Sequence, residues 1–338
     1  MGVKTAAMHP YNIYFYPRIM QTVLITGGTG LVGTRLTQIL LEKGYAVRVL
    51  GRQPLTVDGQ QSTVNSQRLA VNHFVWNIGT QTIDPAAITG TDYIVHLAGA
   101  GVADKGWTKS RKAEIVNSRT QSSALLVKAL KEIPNNVKAV VSASAIGWYG
   151  PDKKDAVPFT EDAVHDTAFL GDTCYKWENS IQPVVSLNKR LVKLRTGIVL
   201  SNEGGALHEF KKPLKSGIAA ILGNGSQVIS WIHIDDLCRM LIYAIENEKL
   251  NGVYNAVAPM PVSNKTLTLS LAKLIRKSFY IPVYVPAFIL KIVLGQMSIE
   301  VLKSATVSCD KIKKEGFTFL YPSIDSALGA LAISDKSE

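Results

Sequence analysis

Three glycines at a spacing of three residues, Gly27, Gly30 and Gly33, form the most informative chemical pattern in the chain. They follow a short apolar run, 23–25, and precede apolar residues that repeat with helical period as far as Gly44. In such a strand, turn and helix, the first glycine permits the turn, the second a close approach to phosphate, and the third close packing of helix on strand. We therefore predict the pyrophosphate site of a dinucleotide here.

The start of this predicted helix supplies the donors for such an anion. Leu31 and Val32 lie between the second and third glycines, where backbone N–H groups have no acceptor within the helix. With the positive end of the helix dipole, these groups favour a doubly charged ligand. We therefore add Leu31 and Val32 to the three glycines as predicted cofactor contacts.

The end of the second predicted strand, 46–50, indicates which dinucleotide binds. In a dinucleotide fold the adenosine ribose lies about 20 residues beyond the glycine turn. An acidic residue there would bind a free 2′-hydroxyl, but the sequence has Gly51 and Arg52. A guanidinium offers charge and a fork of donors to a phosphate, which favours NADP(H) over NAD. The alternative is that Arg52 is a solvated loop residue.

The next two predicted strand ends complete the cofactor site. Asn77 ends the third strand, and we expect it to meet the edge of the adenine. Leu97, Ala98 and Gly99 end the fourth, where mostly small side chains leave room for a ribose of the cofactor. His96 in that strand is interpreted as a packed residue rather than a catalyst.

Candidates for chemistry follow along the same edge. Ser144 lies just beyond a strand predicted over 138–141, where open α/β sheets bind ligands. Tyr149 follows, and we expect it at the rim of the site. A long polar helix predicted over 109–132 is expected to carry Arg119 inward.

These elements together predict an α/β chain with a Rossmann-type doubly wound parallel sheet and a smaller, mainly helical C-terminal substrate lobe. The glycines and basic residues of 204–225 suggest a mobile segment. The apolar run 283–294, which Pro286 and Lys291 interrupt, is interpreted as a core helix, and a short helix is predicted over 287–294. The predicted organisation is an N-terminal extension (1–20), an NADP-binding domain (21–200, completed by about 228–258), a substrate lobe (201–227 and 259–331) and a tail (332–338).

Composition restricts the partners. The 338 residues are 46% hydrophobic and 19% charged, as in a soluble globular protein, and no apolar run is long enough for a membrane span. The net charge of +11 is scattered and lacks a nucleic-acid-binding motif, so no nucleic-acid partner is expected. Cys174, Cys238 and Cys309 lack metal-ligand spacing and indicate a reducing, cytoplasmic compartment. Monomer and homodimer both remain open.

Several motifs together resemble a known family, over about residues 21–330. The sequence resembles the extended short-chain dehydrogenase/reductases and, more narrowly, their atypical epimerase-like subgroup with a C-terminal helical extension. Members carry labels such as NAD-dependent epimerase, nucleoside-diphosphate-sugar epimerase and cell-division inhibitor. The motifs are Gly-Gly-Thr-Gly-Leu-Val-Gly (27–33), His-Leu-Ala-Gly (96–99), Asp-Lys-Gly-Trp-Thr (104–108), Ser-Ala-Ser-Ala-Ile-Gly-Trp-Tyr-Gly (142–150), Cys174 with Trp177-Glu178, and Trp-Ile-His-Ile-Asp-Asp-Leu (231–237).

One departure from the parent superfamily concerns catalysis. Its members move a proton with a Tyr-x-x-x-Lys pair and an upstream serine, whose position Ser144 takes here. The resemblance puts Leu170 at the tyrosine position and Cys174 at the lysine position. The subgroup is known for that cysteine and for an arginine, here Arg119, in place of a helix asparagine. In another register, Asp172 with Lys176 would place two ionisable groups on one helical face.

Two functions of different classes follow. As an NADP-dependent oxidoreductase or epimerase, the protein would use Ser144 to orient a carbonyl or hydroxyl and Tyr149 as proton donor. Arg119 would stabilise oxyanion charge or hold the ribose, and Cys174 would be a weak acid or nucleophile, or else a small packed residue. Alternatively the chain is an inactive NADP(H)-binding regulatory protein, linked to cell division by the subgroup's labels. A nucleotide-sugar epimerase proper would still need a proton-transfer group that this alignment lacks.

Overall fold

The computed structural model describes residues 20–53, 62–64, 67–69, 71–153 and 157–334. The predicted N-terminal extension up to residue 19 and the end of the predicted tail lie outside the described residues.

The described chain alternates strands and helices. The strands are β1 (Thr22–Thr26), β2 (Ala46–Gly51), β3 (Ser62–Val64), β4 (Gln67–Leu69), β5 (Val71–Asn77), β6 (Thr82–Ile83), β7 (Tyr93–His96), β8 (Ala139–Ala145), β9 (Arg190–Thr196), β10 (Ile198–Ser201), β11 (Gly204–Gly205), β12 (Ile218–Leu222), β13 (Val228–Ile229), β14 (Trp231–His233), β15 (Gly252–Ala256), β16 (Val262–Ser263) and β17 (Ile281–Val285). The helices are α1 (Leu31–Glu42), α2 (Pro85–Ile88), α3 (Lys109–Glu132), α4 (Phe169–Ile181), α5 (Ala206–Leu214), α6 (Ile234–Glu246), α7 (Asn264–Arg276), α8 (Ala287–Leu294), α9 (Ser298–Leu302), α10 (Asp310–Lys314) and α11 (Ile324–Ser334). Short 3-10 turns cover Ile146–Trp148, Gln182–Leu187 and Gly295–Met297.

The main sheet has the order β15-β9-β8-β7-β1-β2-β5-β6. Its strand pairs are parallel except β5 with β6. From β1 the chain builds outward first through β2 and β5, then on the other side through β7, β8, β9 and β15. This reversal creates a crevice at the carboxyl ends of β1 and β7, where open α/β sheets bind ligands. The predicted Rossmann-type sheet is confirmed.

Helices cover both faces of this sheet. Apolar residues of α1 and α6, such as Leu36 and Leu241, pack on one face, and residues of α3, such as Leu126, pack on the other. The central strand β1 contributes to both layers, since Val23 and Leu24 lie in different clusters and are fully buried. A parallel strand buried on both faces explains why residues 23–25 read as a continuous apolar run.

The segment 204–225 is not the mobile, glycine-rich stretch that we predicted. It forms α5 and β12, and Leu207 and Leu214 of α5 are fully buried in a third apolar cluster with α7 and α11. The glycines serve as turn residues at the element ends, for example Gly217 and Gly223 with positive φ.

The apolar run 283–294 holds the short helix predicted over 287–294, but the expectation of a core helix is wrong. Pro286 separates β17 from α8, because a proline lacks the N–H that would continue a strand or helix through it. Within α8 the side chain of Leu290 is buried, whereas Phe288, Ile292 and Val293 are exposed. None of the described helices is long and apolar enough to cross a membrane.

Candidate functional site

The turn after β1 has the geometry that the glycine spacing predicts. Gly27 has a φ of +71°, and a Cβ there would lie 3.0 Å from the backbone of Leu97 and Ala98. A Cβ on Gly33 would approach the carbonyl oxygen of Gly27 to 2.4 Å, so α1 packs directly on the turn. Only glycine fits at these two positions. Gly30, by contrast, meets one atom, the Gly27 carbonyl oxygen at 3.3 Å.

The N-terminus of α1 keeps its donors available. Its cap residue, Gly30, provides no side-chain hydrogen bond, and the first turn contains no acidic residue. The first helical bond runs from the N–H of Thr34 to the carbonyl oxygen of Gly30. The N–H groups of Leu31, Val32 and Gly33 therefore lie ahead of the helical ladder and can bind an anion.

Arg52 lies exposed at the end of β2, near the first turns of α3. A hydrogen bond from Arg111 lowers the pKa of Glu114 in α3, and the positive charges of Lys105 and Arg52 add to this effect. Arg52 therefore places positive charge near the start of α3. Positive charge suits a phosphate better than a free hydroxyl.

Asn77 uses its side-chain oxygen locally. This oxygen accepts hydrogen bonds from the N–H groups of Gly79 (2.9 Å) and Thr80 (3.1 Å), which closes the exposed turn between β5 and β6. Its amide NH₂ is the group left to meet an adenine.

Below the glycine turn lies a buried polar chain that ends β1 and β7. His96 is fully buried, with Nδ1 2.7 Å from the hydroxyl of Thr26 and Nε2 3.1 Å from that of Ser123. Burial lowers the pKa of His96 to about 4, so the ring is neutral near pH 7. The interpretation of His96 as a packed residue is confirmed. Its hydrogen bond to Thr26 connects the end of β7 to the end of β1, where the glycine turn begins. Leu97, Ala98 and Gly99 follow His96 in the chain.

Arg119 of α3 projects toward this strand end. Its Nη1 donates to the carbonyl oxygens of Ala100 and Ile115, both at 2.9 Å, and its guanidinium lies 5.0 Å from the ring centre of Trp177. A Cβ on Gly99 would lie 3.2 Å from this side chain. Across the described residues, Nε and Nη2 of Arg119 have no hydrogen-bond acceptor, so they can serve a ligand. Burial lowers the pKa of Arg119 below its ordinary value, but the group remains a cation.

Ser144 belongs to a buried ionic network rather than to an open cleft. Its hydroxyl donates to Oε1 of Glu178 at 2.7 Å. Arg195 donates two hydrogen bonds to the same carboxylate, from Nε to Oε1 at 2.8 Å and from Nη2 to Oε2 at 3.2 Å. Ser144 and Arg195 are each 2% exposed, and Glu178 is 4% exposed. A buried carboxylate with this many donors is satisfied, as buried charges have to be.

The expected position of Tyr149 is wrong. Its side chain is fully buried instead of lying at the rim, and its hydroxyl donates to Oδ1 of Asn255 at 2.6 Å. Arg195 donates to the same phenol oxygen at 3.1 Å, and the ring stacks on Phe159 at 5.0 Å. Burial raises the pKa of Tyr149, which makes the phenol a poorer acid. An aromatic side chain after a strand end can turn into the core as readily as outward, and the sequence pattern does not distinguish the two.

Cys174 and Leu170 occupy successive turns of α4 under the loop at Gly147. A Cβ on Gly147 would lie 3.3 Å from Leu170 and 3.5 Å from the Sγ of Cys174. Burial raises the pKa of Cys174 to about 12, the charge of Glu178 adds to this, and Arg119 offsets part of it. The thiol is therefore protonated, and of the two interpretations the geometry favours the small packed residue.

The alternative register lies away from the crevice. Asp172 and Lys176 form a solvent-exposed ion pair of 2.6 Å on the outer side of α4. Within the described residues no group of three His, Cys, Asp or Glu side chains could hold a metal ion.

The sequence analysis does not predict two residues of this site. Glu178 belongs to one of the family motifs but has no predicted role, and Arg195 belongs to none of them. A signal existed in β9, where Arg195 follows apolar residues of a strand that is buried in the sheet. A charge at such a position needs a buried counter-charge.

Comparisons with known proteins agree with this geometry. A family model described as the NAD dependent epimerase/dehydratase family matches residues 23–175, and one described as a domain of unknown function, DUF1731, matches residues 285–331. An epimerase family protein of Staphylococcus aureus is 36% identical over 313 residues, which are 91% of this chain and 98% of that protein. An epimerase family protein of Staphylococcus saprophyticus is 33% identical over 312 residues, with the same coverage.

Solved structures show the same fold. The crystal structure of the human epimerase family protein SDR39U1 with NADPH superposes with a TM-score of 0.80 at 28% identity, covering 93% of this chain and 99% of that one. A nucleoside-diphosphate sugar epimerase from Corynebacterium glutamicum gives 0.70 at 29% identity, covering 93% of this chain and 59% of that one. UDP-glucose 4-epimerase from Thermotoga maritima, at 21% identity and a TM-score of 0.72 over 94% of this chain and 99% of that one, shows the fold alone.

Proposed function

This chain belongs to the NAD dependent epimerase/dehydratase family, and we propose that it binds NADP(H) and acts on the carbonyl or hydroxyl group of a small molecule. The observation that carries the proposal is the glycine turn, which brings the free N–H groups of Leu31, Val32 and Gly33 to the crevice. The human relative whose crystal structure contains NADPH supports the choice of cofactor.

The residues present fit this cofactor. A side chain at Gly27 or Gly33 would collide with backbone, so the turn is built for a close approach of phosphate to main chain. At the adenosine end, exposed Arg52 would meet the 2′-phosphate, because it lies directly after the end of β2. Gly99 leaves room for the Arg119 side chain at the end of β7.

The chemistry rests on few side chains. Bound NADP(H) would supply or accept a hydride. The free Nε and Nη2 donors of Arg119 would hold the negative charge that develops on a substrate oxygen. Ser144 would act indirectly, because its buried hydroxyl donates to Glu178 and so helps to hold the ionic network of Glu178 and Arg195. We assign the substrate lobe to residues 201–227 and 259–331.

A second candidate function is favoured by the state of the proton donors. Tyr149 is buried and bonded, Cys174 is protonated by virtue of its raised pKa, and Leu170 cannot transfer a proton. The chain would then be an NADP(H)-binding regulatory protein without hydride transfer, in which the cofactor stabilises the fold by mass action.

Titration calorimetry with NADPH and NADH tests the binding proposal. Gly30→Val is the sharpest variant, because its Cβ meets little of the protein but would stand where phosphate approaches the backbone. We expect at least a tenfold loss of affinity for both nucleotides with an unchanged melting temperature. Gly329→Ala, whose Cβ would meet nothing within 4 Å, is the matched control and should bind normally.

Arg52→Ala tests the choice between the two cofactors. It should weaken NADPH and leave NADH nearly unchanged, whereas Lys249→Ala on a remote turn should affect neither. Binding of neither nucleotide would refute the proposal. Absorbance of NADPH against a panel of carbonyl compounds then separates the two candidates, since binding without any oxidation favours the regulatory protein.

A further inference from the structure

An exposed apolar surface, here named the apolar ridge, runs from the end of α7 along β17 to α8. Soluble proteins seldom expose large contiguous apolar patches unless something binds there. The residues that define the ridge are exposed by 81% (Phe279), 68% (Ile281), 64% (Phe288), 78% (Ile292) and 73% (Val293).

Helix α8 is apolar on all of its sides. Seven of its eight residues are apolar, and Lys291 is the exception. A helix of this kind is normally enclosed by a protein core or by lipid. Here Leu290 is buried, and α8 packs chiefly on α9 and the turn that connects them. Most of its apolar surface therefore remains to be covered.

Strand β17 continues the ridge beside α8. It pairs in parallel with β12, so that Ile281 lies opposite Ile218, which is also exposed. These two strands form a sheet of their own within the described residues. Both faces of β17 are open, since Val283 and Tyr284 point to opposite sides and are each exposed.

The chain segment that carries the ridge has only positive charges. Residues 249–299 contain six lysine or arginine residues and no aspartate or glutamate. Lys273, Lys277 and Lys291 are exposed, and none of them forms an ion pair within the described part of the chain. Two copies meeting ridge to ridge would bring these like charges together, which disfavours a homodimer through this face. An anionic surface matches both the charge and the apolar side chains.

We propose that the apolar ridge docks on the surface of a membrane that contains anionic lipids. Helix α8 lies in the interface, with Phe288 and Ile292 among the acyl chains and Lys291 at the phosphate headgroups. A bilayer suits a projecting apolar helix because lipid adapts to its shape, whereas a protein partner would need a complementary groove. Lys277 adds attraction at the other end of β17.

Vesicle flotation with the full chain tests this proposal. We expect binding to vesicles that contain phosphatidylglycerol and at least tenfold weaker binding to pure phosphatidylcholine. The double variant Phe288→Ser and Ile292→Ser should lose at least tenfold in affinity for the anionic vesicles. Val164→Ser, at an equally exposed valine on another surface, should bind normally.

The electrostatic part has its own variants. Lys277→Gln with Lys291→Gln should weaken binding by about fivefold for each cation removed, and Lys128→Gln on α3 should not. Added salt should weaken wild-type binding. Absence of binding to anionic vesicles, or binding that the Phe288 and Ile292 changes leave intact, would overturn the proposal. So would light scattering that shows a dimer dissociated by those same changes, because a second copy would then cover the ridge.

Discussion

The two halves of the crevice differ in whether backbone or side chains form them. The half proposed for the adenosine, here called the adenosine half, lies at the ends of β1 and β2 and is made of glycine backbone and helix N–H groups that have no other partner among the described residues. The half proposed for the nicotinamide, here called the nicotinamide half, lies at the ends of β8 and β9 and is made of side chains that already bind one another, such as Ser144 with Glu178. The backbone groups of the adenosine half are therefore available to a ligand, whereas the side chains of the nicotinamide half already stabilise the fold by binding one another.

The largest expected effect comes from breaking the ionic network. Glu178→Ala leaves the buried guanidinium of Arg195 without its carboxylate, which should cost about 3 to 5 kcal/mol in the free energy of unfolding. Urea unfolding measures this loss. Glu209→Ala removes an exposed ion pair and should change stability by less than about 0.5 kcal/mol. A loss below about 1 kcal/mol for Glu178→Ala would show that the side chains of the nicotinamide half do not stabilise the fold in this way.

A smaller effect is expected from pH, through the histidine that lies between the two halves. The pKa of His96 is about 4 in the folded protein and 6.5 for an ordinary histidine, so below pH 6.5 the unfolded chain binds a proton that the folded chain does not. This contribution to stability is present in full above pH 6.5 and is lost as the pH falls to 4, roughly 3 kcal/mol in all.

Urea unfolding between pH 7 and pH 4 measures this slope, and NMR titration of the folded protein assigns it. The ring of His96 should titrate with a midpoint near 4. A midpoint for His96 above pH 6 would contradict the prediction.

Ser144→Ala sharpens the comparison with a still smaller change. It removes one hydrogen bond to a charged group, so we expect a loss of about 1.5 kcal/mol in the free energy of unfolding. Because the adenosine half is independent, the dissociation constant for NADPH should stay within about twofold. Ser142→Ala, which removes a longer bond to a backbone oxygen, is the control. A strong loss of NADPH affinity would join the two halves into one site.

The smallest effect concerns the cysteines. Burial raises the pKa of Cys174 and Cys238 to about 12 and that of Cys309 to about 11. At pH 8 the folded protein should therefore react with a thiol reagent such as dithionitrobenzoate far more slowly than the protein in urea. Rapid release of one equivalent, abolished by Cys174→Ala, would instead restore a reactive thiol to the nicotinamide half.

The sequence predicts the backbone-built half well and the side-chain half poorly. Helix α3 matches its predicted bounds, 109–132, and the glycine turn matches its predicted geometry, because local spacing encodes both. The direction in which Tyr149 points is decided by Phe159, Asn255 and Arg195. These partners are distant in the chain, so no local pattern carries that information.

The same limit explains the misplaced apolar run. Hydrophobicity over 283–294 predicts burial, but it does not predict that Phe288, Ile292 and Val293 lie on the surface. The break at Pro286 was visible, since a proline interrupts strand and helix alike. The exposure of Phe288 cannot be predicted in this way, because it depends on how the rest of the chain packs around α8.

The position of β15 late in the chain affects the behaviour of fragments of the protein. This strand pairs with β9 in register Tyr254↔Leu194, yet some sixty residues separate the two in the chain. A polypeptide that stops near residue 200, just past the segment 23–175 that matches the family model, would leave β9 as an exposed edge strand. Exposed edge strands pair with other chains, so we expect the truncated polypeptide to aggregate. During synthesis, the nascent protein should need protection from such pairing until β15 has been made.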